Sequence, residues 1–134
     1  MIGLDSNVLL RVLLDDDPVQ SPRARAFIAE HGRHPGSLRL CDTVLLEVLW
    51  TLKRQRRLPR ASLADVFARL LAEPAFAVSD REHLAEVLRR YVQSRADIGD
   101  AFSAVDNERA GCDHTATFDA DAAKVRGMKA MPGV

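Results

Sequence analysis

Four aspartates stand where a short apolar run hands over to a helical pattern: Asp5 after IGL, Asp42 after LRLC, Asp80 after FAVS and Asp119 after TATF. Asp is a preferred helix N-cap, stabilising a helix start by about 1 kcal/mol, so each of the four taken alone reads as a cap. Two further groups of acids sharpen the picture. Glu47 lies on a stripe of Val44, Val48 and Leu49, where a carboxylate is costly to bury unless something pairs with it. Asp97 and Asp100 are three residues apart at a helix start, share one face, and together resemble a capping box. If the helix starts converge at one sheet edge, Asp5, Glu47, Asp100 and Asp119 meet in one pocket. Carboxylates that close resist ionising together, and a divalent cation resolves the conflict. An all-oxygen donor set without nearby His or Cys selects Mg²⁺ or Mn²⁺ over zinc. Such an ion keeps positions for water and phosphate oxygens, so the implied chemistry is phosphoryl transfer or phosphodiester hydrolysis.

The elements that must position these acids follow from the periodicities. Ile2 to Leu4, Ser37 to Cys41, Phe76 to Val78, His114 to Phe118 and Met128 to Met131 read as short buried strands. Helical patterns lie between them. Ser21-Pro22 predicts an N-cap with Pro at the first helical position, and Gly32 a stop. Thr43 to Leu58 carries an apolar stripe that Pro59 ends. Ser62-x-x-Asp65 predicts a capping box opening a helix with Leu63, Val66, Phe67, Leu70 and Leu71 inward. Asp80 starts a helix burying Leu84, Val87, Leu88, Tyr91 and Val92, and Ile98 to Val105 marks another before Gly111. Asp15-Asp16-Asp17-Pro18 reads as a solvated turn between helices. The alternation predicts a three-layer α/β/α domain around a mostly parallel sheet of about five short strands, in which ligands bind beyond the carboxyl ends of the strands.

Composition bounds the rest. The chain has 134 residues, 19 Lys+Arg against 19 Asp+Glu, and a net charge of zero, which fits one domain over residues 1–134 and removes a global basic charge as a pointer to nucleic acid. Two cysteines, Cys41 and Cys112, make neither a disulfide scaffold nor a CxxC metal or redox motif. The N-terminus lacks the features of a signal peptide and no apolar run approaches a membrane span, so a cytoplasmic location is expected. His31, His34, His83 and His114 have no spaced Ser or Cys partner for nucleophilic catalysis; His83 reads as outward-facing. The glycines are scattered and form no phosphate loop.

The ordered set of motifs resembles the PIN-domain ribonucleases, especially the VapC-type toxins of bacterial toxin–antitoxin pairs. LDSNVLLRVLL is similar to the first motif, DTVLLEVLWTL to the second, ADIGDAFSAVDNERAGC to the third and TATFDADAAKVRGM to the fourth; together they span nearly the whole chain. The resemblance implies that Asp5, Glu47, Asp100 and Asp119 are the catalytic, metal-holding acids. It gives supporting roles to Ser6, Asn7, Asp97 and Thr117, and leaves Asp121 as a cap or solvent-facing group. The third motif departs modestly, with Ile98 where relatives more often show an aromatic and Phe102 where they show an aliphatic. The implied activity is a Mg²⁺-dependent endoribonuclease, Mn²⁺ substituting, that leaves a 5′-phosphate and a 3′-hydroxyl. The implied partners are RNA, a VapB-like antitoxin and a second copy of the chain.

RNA also needs cations. Lys53, Arg54, Arg56, Arg57 and Arg60 place five positive charges in eight residues at the end of the Glu47 helix, where they also suit the helix dipole. Arg11, one helical turn beyond Asn7, is a further candidate, whereas Arg89, Arg90 and Arg95 read as surface charges. Three rivals remain open on the residues: a receiver-like phospho-acceptor domain with Lys129 near its last strand, a non-catalytic interaction module whose acids are all caps or surface groups, and a DNA- or flap-directed nuclease.

Overall fold

The computed structural model describes residues 1–133 and resolves into two compact units, Met1–Arg57 with Arg69–Ser79, and Leu58–Ala68 with the chain from Asp80 onward. The expected α/β class holds: among the described residues six α-helices and five short strands occur, and every strand pair is parallel.

In the first unit β1 (Ile2–Gly3), β2 (Leu38–Arg39) and β3 (Phe76–Ala77) form a ladder in that order, with Ile2 opposite Leu38 and Leu38 opposite Phe76. Main-chain bonds extend the pairing by a residue, Leu4 N–H to Arg39 O (3.0 Å) and Leu40 N–H to Ala77 O (2.9 Å), and both leucines are buried. Beyond those leucines the chain turns directly into α1 (Ser6–Leu14) and α3 (Asp42–Arg56). Leu45, Val48, Leu49 and Leu52 of α3 are buried, recurring at the 3.6-residue period that aims one helical face inward.

Between these elements α2 spans Gln20–His31, starting two residues before the Pro22 that Ser21-Pro22 predicted as first helical residue. The cap is Asp17, whose Oδ1 accepts the Val19 and Gln20 N–H groups at 2.9 and 2.7 Å. Ser21 is fully buried and its Oγ accepts the Asp17 N–H at 3.2 Å. Pro22 falls in the first turn, where a helix tolerates its missing N–H. The Asp15–Asp17 run is the expected exposed turn between α1 and α2, and its carboxylates are also paired. Asp15 terminates α1 in the left-handed region and pairs with Arg25, while Asp16 pairs with Arg56 and, at 3.6 Å, with Arg11.

The second unit holds most of α4 (Arg60–Ala72), then α5 (Arg81–Val92), α6 (Ile98–Arg109), β4 (Thr115–Thr117), a 3₁₀ turn at Ala122–Lys124 and β5 (Met128–Ala130), with Thr115 opposite Met128. Ala96, Ala104, Ala122, Val125 and Met128 form a small-residue core, and Phe67 of α4 stacks on Phe102 of α6 at 5.9 Å. Helix α4 begins at Arg60 rather than at the predicted Ser62 capping box, because the Leu63 N–H already bonds Pro59 O at 2.9 Å and Ser62 lies exposed inside the first turn. Val92 closes α5 pointing outward, 63% exposed, against the prediction that it is buried.

Two arginines assigned to the surface or to RNA by sequence are structural here. Arg90 is 5% exposed; its guanidinium pairs with Glu86 (3.0 Å) and Glu108 and donates to the Arg126 carbonyl at 3.0 Å. That carbonyl precedes Gly127, whose φ of +92° favours glycine in the turn into β5; a Cβ there would also stand 3.1 Å from Arg90 Nη1, a tight contact. Arg60 lies 4.0 Å over the Tyr91 ring and donates to the Tyr91, Ser94 and Ala96 carbonyls at 2.7–2.8 Å, tying down the segment before α6. Among the described residues no buried side-chain polar atom lacks a partner, and no helix is long and apolar enough to cross a membrane.

Candidate functional site

The first unit positions two of the predicted acids. Asp5 follows the buried Leu4 at the carboxyl end of β1 and occupies the N-cap position of α1 with extended backbone (φ −80°, ψ 157°). Its carbonyl accepts the Val8 and Leu9 N–H groups at 3.2 and 3.5 Å, but its carboxylate makes no capping hydrogen bond. The exposed side chain is therefore not consumed by the helix start. Ser6 beside it is buried, whereas Asn7 is exposed. Asp5 and Asn7 line an open cavity of about 540 Å³ with Arg11, Gln20, Arg23 and Phe27; Arg11 Nε donates to Gln20 Oε1 at 2.7 Å. On the adjacent strand the turn into α3 carries Asp42, whose Oδ1 accepts the Ser79 hydroxyl at 2.6 Å from the end of β3.

Glu47 is exposed on α3. The expectation that it is a costly buried carboxylate among apolar neighbours is corrected: the buried positions are Leu45, Val48, Leu49 and Leu52, and Glu47 lies off that stripe.

The second unit positions the other two. Asp97 is the N-cap of α6 and accepts the Ile98 N–H at 2.8 Å, while Asp100, half-buried, is the third helical residue and donates its own N–H to Asp97 O at 3.1 Å. Asp119 follows β4 and accepts the Asp121 and Ala122 N–H groups on Oδ1 at 2.8 and 3.0 Å, shaping the 3₁₀ turn. Thr117 Oγ1 accepts the Asp119 N–H at 3.0 Å, so it holds the main chain of that aspartate. Asp121 is exposed and makes no capping bond. The fourth strand-end acid, Asp80, is a cap in full: it accepts the His83 N–H at 3.1 Å and Arg109 Nη2 at 2.7 Å. Those bonds, the His83 N–H first, hold its carboxyl below the usual aspartate range.

A family model for the PIN domain matches residues 2–128, from the strand before Asp5 to the strand after Asp119. The chain belongs to the PIN-domain family. PIN domains are typically nucleases that use divalent metals, which sets aside the receiver-type rival. No curated protein matches the chain.

A metal of that kind asks for hard oxygen donors, and the donor chemistry of this PIN domain fits: Asp5 has an exposed carboxylate uncommitted to its helix, Glu47 is exposed, and Asp119 has its backbone bonds on Oδ1 alone. Asp5 and Glu47 belong to the first unit, Asp100 and Asp119 to the second. Among the described residues no group of three or more His, Cys, Asp or Glu side chains forms a metal cluster.

The cations divide more sharply than the sequence suggested. Arg11 and Arg56 are paired with Asp16, and Arg60 is bound to main-chain carbonyls. Arg54 and Arg57 are exposed at the end of α3, and Lys53 is half-buried beside them. His83, expected outward, has a side chain only 6% exposed, 3.9 Å from Asp106, because α5 turns that face onto α6. Sequence reasoning passed over Trp50, which is exposed on α3 with the Arg54 guanidinium 5.4 Å from its ring centre. Its signal was a lone aromatic one turn after the motif acid.

Proposed function

We propose that this PIN domain is a Mg²⁺- or Mn²⁺-dependent endoribonuclease acting as the toxin of a VapBC-like toxin–antitoxin pair. The observation that carries the reading is the strand-end Asp5, an aspartate at a helix N-cap position whose carboxylate does not cap, in the first motif of a nuclease family. Asp5, Glu47, Asp100 and Asp119 would hold the ion, with Asp5 and Asp100 as first choices for direct ligands. When bound, the ion activates water and stabilises the charge that develops on the phosphodiester. The chain's own contribution is to orient carboxylates. The α1 start holds Asp5 by its main chain alone, Asp97 pins the first turn of α6 that carries Asp100, and Thr117 with the two N–H bonds to Oδ1 fixes Asp119. Ser6 and Asn7 would support the first acid. In this reading residues 1–134 act as one domain, a cytoplasmic homodimer inhibited by a VapB-like antitoxin, and exposed cations of α3 contact RNA.

The test is cleavage of RNA by the purified chain with and without Mg²⁺, comparing parent, Asp5→Asn and Asp100→Asn. Cleavage is expected to need the metal and to be lost in both variants while the fold is retained. Full Mg²⁺-dependent activity in both variants overturns the assignment. A Mn²⁺ titration followed by thermal unfolding separates the non-catalytic alternative, for which no stabilisation is expected.

A further inference from the structure

We propose that the exposed face of α3 is a track for single-stranded RNA, with one unpaired base stacked on Trp50 and the adjoining phosphate held by Arg54. Glu47, Trp50 and Arg54 recur at intervals of three and four residues, so they share one side of the helix; all three are exposed, as is Arg57 at the C-cap. Seven residues separate Glu47 from Arg54, about 10.5 Å along the axis. The face therefore runs from a proposed metal-holding acid, past an aromatic ring, to a guanidinium.

Trp50 is 43% exposed on a helix whose buried stripe lies elsewhere, and the Arg54 guanidinium lies 5.4 Å from its ring centre. An exposed indole beside a guanidinium offers a π face for a base and a cation for the phosphate that follows it, the pairing that sequence-tolerant single-strand binders use. A paired base is already stacked within its helix, so this geometry favours an unpaired strand. Charge complementarity favours a polyanion over an apolar partner: Lys53 and Arg54 lie in the last turn and Arg57 is the cap, Arg56 being paired with Asp16, while Glu47 is the acid on that exposed face. The cations also suit the helix C-terminus, but that accounts only for their charge and leaves the exposed indole unexplained.

This inference rests on the ribonuclease reading for its choice of RNA, and its test is independent of cleavage. Trp50 is the one tryptophan of the chain, so its fluorescence reports the face directly. A labelled single-stranded RNA of about eight nucleotides is titrated in EDTA against the full-length chain, reading Trp50 emission and label anisotropy together. Saturable quenching of Trp50 is expected to track the anisotropy. Trp50→Ala is expected to weaken binding roughly tenfold, Trp50→Phe to restore most of it, and Arg54→Gln to reduce the salt slope by about 0.7. Unchanged affinity in Trp50→Ala overturns the proposal, as does equal competition by duplex RNA or tighter binding of the matching single-stranded DNA. Quenching that depends on protein concentration without RNA, with loss of the dimer in Trp50→Ala, also overturns it by assigning the face to a second copy. Quenching without Mg²⁺-dependent cleavage leaves the track standing and rejects the nuclease reading; cleavage without quenching does the reverse.

Discussion

Asp5 and Asp119 both follow a strand and both precede a helical turn, yet the chain uses their carboxylates differently. Asp119 binds two backbone N–H groups on Oδ1 and receives support at its own N–H from Thr117. Asp5 holds α1 through its carbonyl and leaves its side chain uncommitted. Position alone therefore does not separate a cap from a ligand. What separates them is whether the carboxylate oxygens are occupied, and one acid can do both by giving one oxygen to each task. The two ends of that scale are Asp80, spent on His83 and Arg109, and Asp5, spent on nothing in its helix.

The largest effect is expected where a charge is most deeply engaged. Arg90→Met leaves Glu86 and Glu108 without their shared guanidinium and the Arg126 carbonyl without its donor, and is expected to cost about 3 kcal/mol, read by urea unfolding. Because Arg90 braces the turn into β5, which pairs with the strand ending before Asp119, activity should fall with stability in this variant. Asp119 then divides its two tasks. Asp119→Ala removes the turn's acceptor and is expected to cost about 1 kcal/mol along with activity. Asp119→Asn keeps an acceptor oxygen, so stability should be largely retained while cleavage is lost. Equal stability losses in the two would show that charge, not capping, holds the turn.

How much of this was legible depends on how local the cause is. The strands, the parallel pairing and the Asp80 and Asp97 helix starts follow from short-range patterns, and all are present. The start of α2 was misread because Asp17 caps from outside the helix through an Asp-turn, with Ser21 returning the bond, and the Ser-Pro pair imitates a nearer cap. Arg60 was misread because its hydrogen-bond partners are main-chain carbonyls more than thirty residues away, and Arg90 because it bonds a similarly distant carbonyl besides Glu86 and Glu108; a carbonyl acceptor has no sequence signature. Glu47 was misjudged by counting neighbours in sequence; at 100° per residue it lies off the buried stripe. Trp50 escaped notice because an aromatic inside an apolar motif reads as core until its exposure is known.

The occupied end of the comparison has a pH signature. The folded pKa of Asp80 lies below the unfolded value, roughly 3.9, because the His83 N–H and then Arg109 favour the ionised form. Its contribution is therefore present above the unfolded value and is lost as pH falls through the folded one. Asp17 and Glu86 are shifted in the same direction, Asp17 chiefly by the Gln20 and Val19 N–H groups and Glu86 chiefly by Arg89. Thermal midpoints are expected to fall as pH drops below about 4. Asp80→Asn should remove part of that fall, and an unchanged profile in this variant would show that the other carboxylates carry it.

The smallest effect is the sharpest test. If the Asp5 carboxylate contributes nothing to its helix start, Asp5→Ala should unfold within about 0.5 kcal/mol of the parent, below the usual cost of a lost cap. The same substitution is expected to abolish cleavage. A loss of 1 kcal/mol or more would mean that Asp5 caps α1 in solution as Asp80 caps α5, and the distinction between spent and unspent carboxylates would no longer point to Asp5.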